Sequence, residues 1–241
     1  MTHVLRTPGL LVLIDPVRSS PEWASCLALR AASAGAAGVL IGTSFDGSGK
    51  THDLAQAIKR AVPDLPLMLF PGSAAQLTPV VDLVLFLSLV SGRNPQYLIE
   101  EHVRAVPFFK QHDVPTLSTG YILVDGGRVT SVEAVSQTRP LPADKPELAA
   151  AHATAARLIG MKAIYLDAGS GAARPVGLAV IAAVRAAVPG LPLFVGGGVR
   201  TPAAAAAARR AGADYVVVGT AFEEQSPESA PLEAFVRALA G

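Results

Sequence analysis

Eight short apolar runs, each about five to eight residues and rich in Val, Ile, Leu and Phe, recur along the chain with helical or loop segments between them. They cover residues 10–15, 38–43, 65–70, 83–89, 115–124, 163–168, 191–196 and 215–219. The runs are continuous where a half-exposed strand would alternate, and strands covered on both faces of a parallel sheet require that pattern. Between them the sequence predicts helices over 21–34, 51–62, 95–112, 145–159, 175–188, 202–211 and 231–240, several opening with Pro, a favoured first-turn residue. Eight such alternations predict an α/β fold, a (β/α)8 TIM barrel in one domain over residues 1–241, with its active site at the carboxyl ends of the strands. One unit is abnormal. Between the third and fourth strands only residues 71–82 remain, and Pro71, Gly72 and Pro79 leave room for little helix. A reduced or missing third helix opens the outer ring beside apolar strand ends, wide enough to admit a long hydrocarbon.

The last three runs end in small residues: Gly169-Ser170-Gly171, Gly196-Gly197-Gly198 and Gly219-Thr220. Glycine at a strand's carboxyl end lets backbone N–H groups approach an anion, and a helix starting just beyond adds its positive end. The three together predict a phosphate cradle. A formal net charge of +1 provides no basic field, so nucleic acid is excluded as a partner and charge-driven recognition is local to the site. The only cysteine, Cys26, has no disulfide partner within the chain and fits a core position in a reducing compartment. The amino terminus lacks a cationic start and an apolar stretch with a cleavage site, and no run reaches the roughly 18 apolar residues that cross a bilayer. The expectation is a cytoplasmic protein whose greasy substrate brings it to a membrane surface.

Asp15 ends the first strand in Leu-Ile-Asp-Pro, a position suited to Mg²⁺, which takes one or two carboxylates plus substrate phosphate oxygens. Helix capping is the plainer role, but the helix expected from Pro21 begins too far away. Ser44, just past the second strand, is a candidate hydroxyl ligand to the same ion, or a turn former. Arg18 carries a planar fork that suits a diphosphate, and equally suits solvent. Tyr165 and Asp167 share one face of the sixth strand and point into the barrel mouth, where Asp167 can bind a polyol hydroxyl and act as general base. A structural hydrogen bond in the core is the alternative for that pair. His3, His52, His102, His112 and His152 sit at no strand end, and no lysine does either, which argues against Schiff-base chemistry.

Glycine-rich seventh and eighth loops occur in many phosphate-binding barrels. The wider set is more specific: Leu-Ile-Asp15-Pro16 with a basic residue at 18, the segments 88–95 and 120–126, Tyr165-Leu-Asp-Ala-Gly-Ser-Gly-Ala172, Val195-Gly-Gly-Gly-Val-Arg200 and Val218-Gly-Thr-Ala-Phe-Glu-Glu224. Together, over essentially the whole chain, they resemble the geranylgeranylglyceryl phosphate synthase family, most closely its second group. The resemblance implies a prenyltransferase that joins a long allylic prenyl diphosphate to the sn-3 hydroxyl of sn-glycerol 1-phosphate with Mg²⁺, and relatives that form dimers or hexamers. It places the metal at Asp15 and Ser44. It places the glycerol phosphate on Tyr165, Leu166, Asp167, Ala168, Gly169, Ser170 and Gly171, on Gly196, Gly197 and Gly198, and on Gly219 and Thr220, with Tyr121 facing the site. Asp15, Tyr165 and Asp167 are then the catalytic candidates, and Phe70, Leu87 and Leu89 the wall for the prenyl tail.

Two positions depart from the family pattern, which has Glu at Asp167 and Lys at Arg18. Shortening a carboxylate by one methylene moves its oxygens by about an ångström, enough to change a rate by orders of magnitude. A related phosphorylated three-carbon acceptor therefore stays open. So do an FMN-dependent barrel oxidoreductase and a non-catalytic binder of a phosphorylated ligand.

Overall fold

The computed structural model describes Val4 and residues 7–240; His3 lies outside the described residues. Eight parallel strands close on themselves in chain order. They are β1 (Gly9–Ile14), β2 (Gly38–Ile41), β3 (Leu67–Leu69), β4 (Leu83–Leu89), β5 (Thr116–Leu123), β6 (Ala163–Asp167), β7 (Leu193–Gly196) and β8 (Tyr215–Val218), and β8 pairs back onto β1 from Gly9↔Tyr215 to Val12↔Val218. Strand side chains alternate between two apolar layers, as a pleated backbone dictates. Leu11, Leu40, Met68, Leu85, Tyr121, Tyr165, Phe194 and Val217 fill the barrel, while Leu10, Val12, Ile14, Val39, Ile41, Ile164, Leu166 and Val195 pack under the helices. The continuous apolar runs thus serve two layers at once.

The outer helices are α1 (Pro21–Ala34), α2 (Ser48–Ala61), α3 (Glu101–Gln111), α4 (Ser131–Ser136), α5 (Pro146–Leu158), α6 (Leu178–Ala187), α7 (Pro202–Arg210), α8 (Thr220–Glu223) and α9 (Leu232–Leu239). Their starts follow local chemistry. Ser20 accepts the Trp23 N–H and Thr201 the Ala204 N–H, each followed by a Pro that needs no donor partner. The expected start of α2 at residue 51 is corrected to Ser48, after Gly47 turns the chain at φ 80°. A π-turn over Gln96–Glu100 leads into α3. The helices α4 and α8, of six and four residues, are too short to leave a periodic signal in the sequence. Cys26 is only half-buried on α1, with its Sγ 3.7 Å from a Glu228 carboxylate oxygen, so it is not the core filler expected. Among the described residues no helix is long and apolar enough to cross a membrane.

The expectation of a lost third helix is met: residues 71–82 contain only a 3₁₀ turn at Ala74–Gln76. Polar links from Gln76 and Glu101 help hold this segment in place. Gln76, 3% exposed, accepts the Gly72 N–H at 2.7 Å and donates to the Asp46 carbonyl at 2.6 Å. Glu101 on α3 accepts the Ala74 N–H at 2.8 Å. Because Asp46 sits at φ 60°, an unfavourable value for a side-chain-bearing residue, the Gln76 bond also pins the turn that follows Ser44. Gln76→Ala removes the partner of a part-buried donor and a part-buried acceptor, and should lower unfolding stability by about 1–2 kcal/mol. Thermal melts check this, and an alanine variant as stable as the parent would show the amide to be idle.

Candidate active site

A cavity of about 300 Å³ opens at the carboxyl ends of the strands, and it is where the candidate residues meet. Asp15, Arg18, Ser44, Tyr121, Tyr165, Asp167, Ser170, Gly171, Gly197, Gly198, Gly219 and Thr220 all line it. Leu166, Ala168, Gly169 and Gly196 do not. Leu166 and Ala168 follow the alternation of β6 outward into the layer under the helices, so their side chains cannot reach a ligand. The amides of Ala168 and Gly169 are already given to the Gly196 carbonyl at 3.2 Å and to Asp167 Oδ1 at 2.8 Å, and Gly196 backs directly onto the Tyr165 ring. Of residues 165–171, the cavity lining is therefore confined to Tyr165, Asp167, Ser170 and Gly171.

Asp167 is the most deeply buried carboxylate of this cavity. Its carboxylate is 7% exposed, with Oδ2 accepting the Tyr121 hydroxyl at 2.6 Å and Oδ1 accepting the Gly169 N–H. Burial raises its pKa above the ordinary carboxylate value, and the bonds from Tyr121, Gly169 and Ala168 oppose that rise. Tyr121 and Tyr165 are pushed well above the usual phenol value, first by burial and then by the adjacent Asp167 charge, so both stay protonated donors. Tyr165 is held by ring stacking, with Phe70 at 4.6 Å and Phe194 at 5.9 Å between centroids. Asp167 makes the structural hydrogen bonds of the alternative reading and also lines the cavity.

The anion cradle depends on close backbone approach. Gly197 has φ 77°, and a Cβ there would collide with Asp167 Oδ1 and with the Ala168 and Gly169 nitrogens. Only glycine lets the β7 turn pass against the end of β6. Among the described residues no carbonyl or side chain takes the N–H of Ser170, Gly171 or Gly198, which leaves them available to a phosphate.

At the opposite side of the mouth, Asp15 Oδ1 accepts the Val17 N–H at 2.8 Å and so shapes its own turn. Ser20, and not Asp15, caps α1. The second Asp15 oxygen faces Arg18, whose Nε is 3.9 Å away. Glu223, a residue that sequence reasoning passed over, stands beside them on α8: it accepts the Asp15 N–H at 2.9 Å and lies 3.8 Å from Arg18 Nη1. Burial raises its pKa first, and the neighbouring Asp15 charge adds to that. Among the described residues no group of three or more His, Cys, Asp or Glu side chains converges on one point. One free carboxylate oxygen plus the Ser44 hydroxyl in the same cavity suits a cation that keeps water and ligand phosphate oxygens in its shell, as Mg²⁺ does. A smaller cavity, lined by Arg18, Ser19, Ser20, Trp23, Thr220, Glu223 and Glu224, lies behind this partition.

The gap left by the third helix continues the main cavity along an apolar wall. Phe70, Leu87 and Leu89 line it as expected, and Leu77, Tyr97 and Ala105 extend it toward α3. His102 lies in this wall too, with its ring 4.3 Å from Phe86 and its Nε2 buried without a partner among the described residues. Burial lowers its pKa, which keeps it neutral and compatible with an apolar ligand. His102 sits on α3, at no strand end as the sequence predicts, but its ring turns inward, a direction of which the helical spacing gave no sign.

Comparison with known proteins agrees with this geometry. The PcrB family model matches residues 3–239. A geranylgeranylglyceryl phosphate synthase of Spirosoma linguale is 43% identical over 220 residues, covering 91% of this chain and 87% of that protein. One from Chitinophaga pinensis is 39% identical over 215 residues, 89% of this chain and 84% of that protein. Among solved structures, (S)-3-O-geranylgeranylglyceryl phosphate synthase of Thermoplasma acidophilum, in complex with its substrate sn-glycerol-1-phosphate, superposes with a TM-score of 0.90 at 30% identity, covering 98% of this chain and 94% of that one. On the length and strength of these matches, the chain belongs to the PcrB family.

Proposed function

We propose that this prenyltransferase joins a long-chain, geranylgeranyl-type prenyl diphosphate to the sn-3 hydroxyl of sn-glycerol 1-phosphate, making an ether-lipid precursor with Mg²⁺ held by Asp15 and Ser44. One observation carries the reading: a single cavity brings free backbone amides, a buried carboxylate and an apolar channel side by side. A phosphorylated polyol fits the first two, and a hydrocarbon the third. The Thermoplasma acidophilum relative with sn-glycerol-1-phosphate supports the acceptor. The flavin alternative has no footing beside the family membership.

In this reading the amides of Ser170, Gly171 and Gly198, with the start of α8 at Gly219 and Thr220, bind the acceptor's phosphate. Asp167, fixed by Tyr121, orients the free hydroxyl toward C1 of the prenyl group. The C1–oxygen bond to the diphosphate breaks with its electron pair leaving on the diphosphate, the new C1–oxygen ether bond forms, and Asp167 takes the hydroxyl proton. A bound Mg²⁺ would supply charge neutralisation for the leaving diphosphate. Arg18, exposed and only loosely paired, adds its fork to the same charge. The same reading implies a cytoplasmic homo-oligomer that meets a membrane surface when the lipid product leaves.

The test is a panel of sn-glycerol 1-phosphate, its enantiomer and 3-phosphoglycerate against farnesyl, geranylgeranyl and heptaprenyl diphosphates, with products identified by mass. An ether product from sn-glycerol 1-phosphate, dependent on Mg²⁺, is the expected result. Turnover of 3-phosphoglycerate alone would move the acceptor to the related three-carbon acids, and no product from any pair would leave only a phosphate-ligand binder.

A further inference from the structure

One carboxyl group at the cation end is used by none of the steps above. Glu223 sits on α8 with its side chain 10% exposed, and each of its oxygens has a distinct neighbour. Oε1 accepts the N–H of Asp15, the first residue past β1, where the pairing of β1 with β8 has already ended at Val12↔Val218. Oε2 faces Arg18, so one guanidinium is shared between two carboxylates, at 3.8 Å from Glu223 and 3.9 Å from Asp15. A glutamine would accept the Asp15 amide equally well, without the desolvation that a buried charge demands. The charge itself therefore needs a reason.

Arg18 supplies it. Its side chain is 58% exposed and both of its contacts are long, so it is free to move between partners. Were Glu223 uncharged, Asp15 would be the one carboxylate left facing the guanidinium, and the fork would close over the oxygen that a cation needs. Arg18 and Glu223, with Thr220, also form the shared wall between the main cavity and the smaller one behind it.

We propose that Glu223 is a positioning residue: by sharing Arg18 and fixing the Asp15 peptide, it keeps the Asp15 carboxylate open to a divalent cation and the guanidinium turned toward an incoming diphosphate. This rests on the assignment of Asp15 to a cation in the proposed function. Mn²⁺ binding to the full chain without substrates, followed by electron paramagnetic resonance, tests it independently of turnover. Glu223→Gln keeps the bond to the Asp15 amide, so its melting temperature should equal or exceed the parent's, while its Mn²⁺ affinity should fall on the order of tenfold. Binding of sn-glycerol 1-phosphate should not change. Adding Arg18→Met to Glu223→Gln should restore Mn²⁺ affinity to that of Arg18→Met alone. Parental Mn²⁺ affinity in Glu223→Gln, or a deficit that persists without Arg18, overturns the proposal. Mn²⁺ binding untouched by Asp15→Asn is a different failure, one that removes the cation assignment and this inference with it.

Discussion

Asp167→Asn should lower kcat by about 10²–10⁴-fold, the usual contribution of a positioned acid or base, without unfolding the protein. The two halves of that expectation come from the same burial. A carboxyl group whose folded pKa is raised binds its proton more tightly folded than unfolded, so its cost to stability is absent below the unfolded value, grows as the pH rises from there, and is complete above the folded value. Neutralising Asp167 removes the penalty at neutral pH. The Asn amide can still be satisfied, its oxygen taking the Gly169 N–H and its NH₂ donating to the Tyr121 oxygen, because a hydroxyl both donates and accepts. Steady-state kinetics with a prenyl diphosphate and glycerol phosphate, alongside a melt at pH 7.5, measure both. A variant that keeps parental turnover would displace Asp167 from the chemistry. One that loses its cooperative melt would make the carboxylate a structural element first.

Gly197→Ala should be severely damaging. Its Cβ would lie inside contact distance of three atoms at once, Asp167 Oδ1 and the nitrogens of Ala168 and Gly169, two of them backbone, and the residue would also sit at φ 77°. The left-handed conformation alone costs roughly 1 kcal/mol, and relief of the clash requires the end of β6 to move. We expect a total loss of about 3–5 kcal/mol, within the range of severe core defects, equivalent to a fall of roughly 10 °C in Tm for a chain of this size. Activity should fall further than stability does, since any shift of β6 carries Asp167 with it and an ångström of displacement is costly to a reaction. Differential scanning calorimetry and kinetics on Gly197→Ala, with Gly190→Ala as a comparison, separate the effects, because Gly190 has a similar φ of 82° but open space around its Cβ position. Equal losses at the two sites would assign the whole effect to backbone conformation.

The barrel was legible because its physics is repetitive: eight buried strands need eight apolar runs, and the two prolines and the glycine of residues 71–82 forbid a helix there by simple sterics. The site was legible where it sits at strand ends, as Asp15, Tyr165 and Asp167 do. What escaped was set by tertiary approach. Glu223 enters the site from a four-residue helix, and His102 turns inward from a helix whose sequence shows no clear apolar face at that point. The outward orientation of Leu166 and Ala168 was implicit in the alternation along β6, which a segment-wide motif match overrides. Gln76, a buried polar residue in a loop, has no sequence signature at all, because its partners are carbonyls and amides brought to it by the fold.

The only tryptophan of the chain, Trp23, lies in the small cavity whose wall Arg18 and Glu223 share with the main one. The protein therefore carries a native fluorophore in the cavity that Arg18, Thr220 and Glu223 separate from the candidate active site. On the proposed function, a rearrangement of that guanidinium as ligands arrive would alter the indole's surroundings, so stopped-flow emission on unlabelled protein would follow the order in which those ligands assemble.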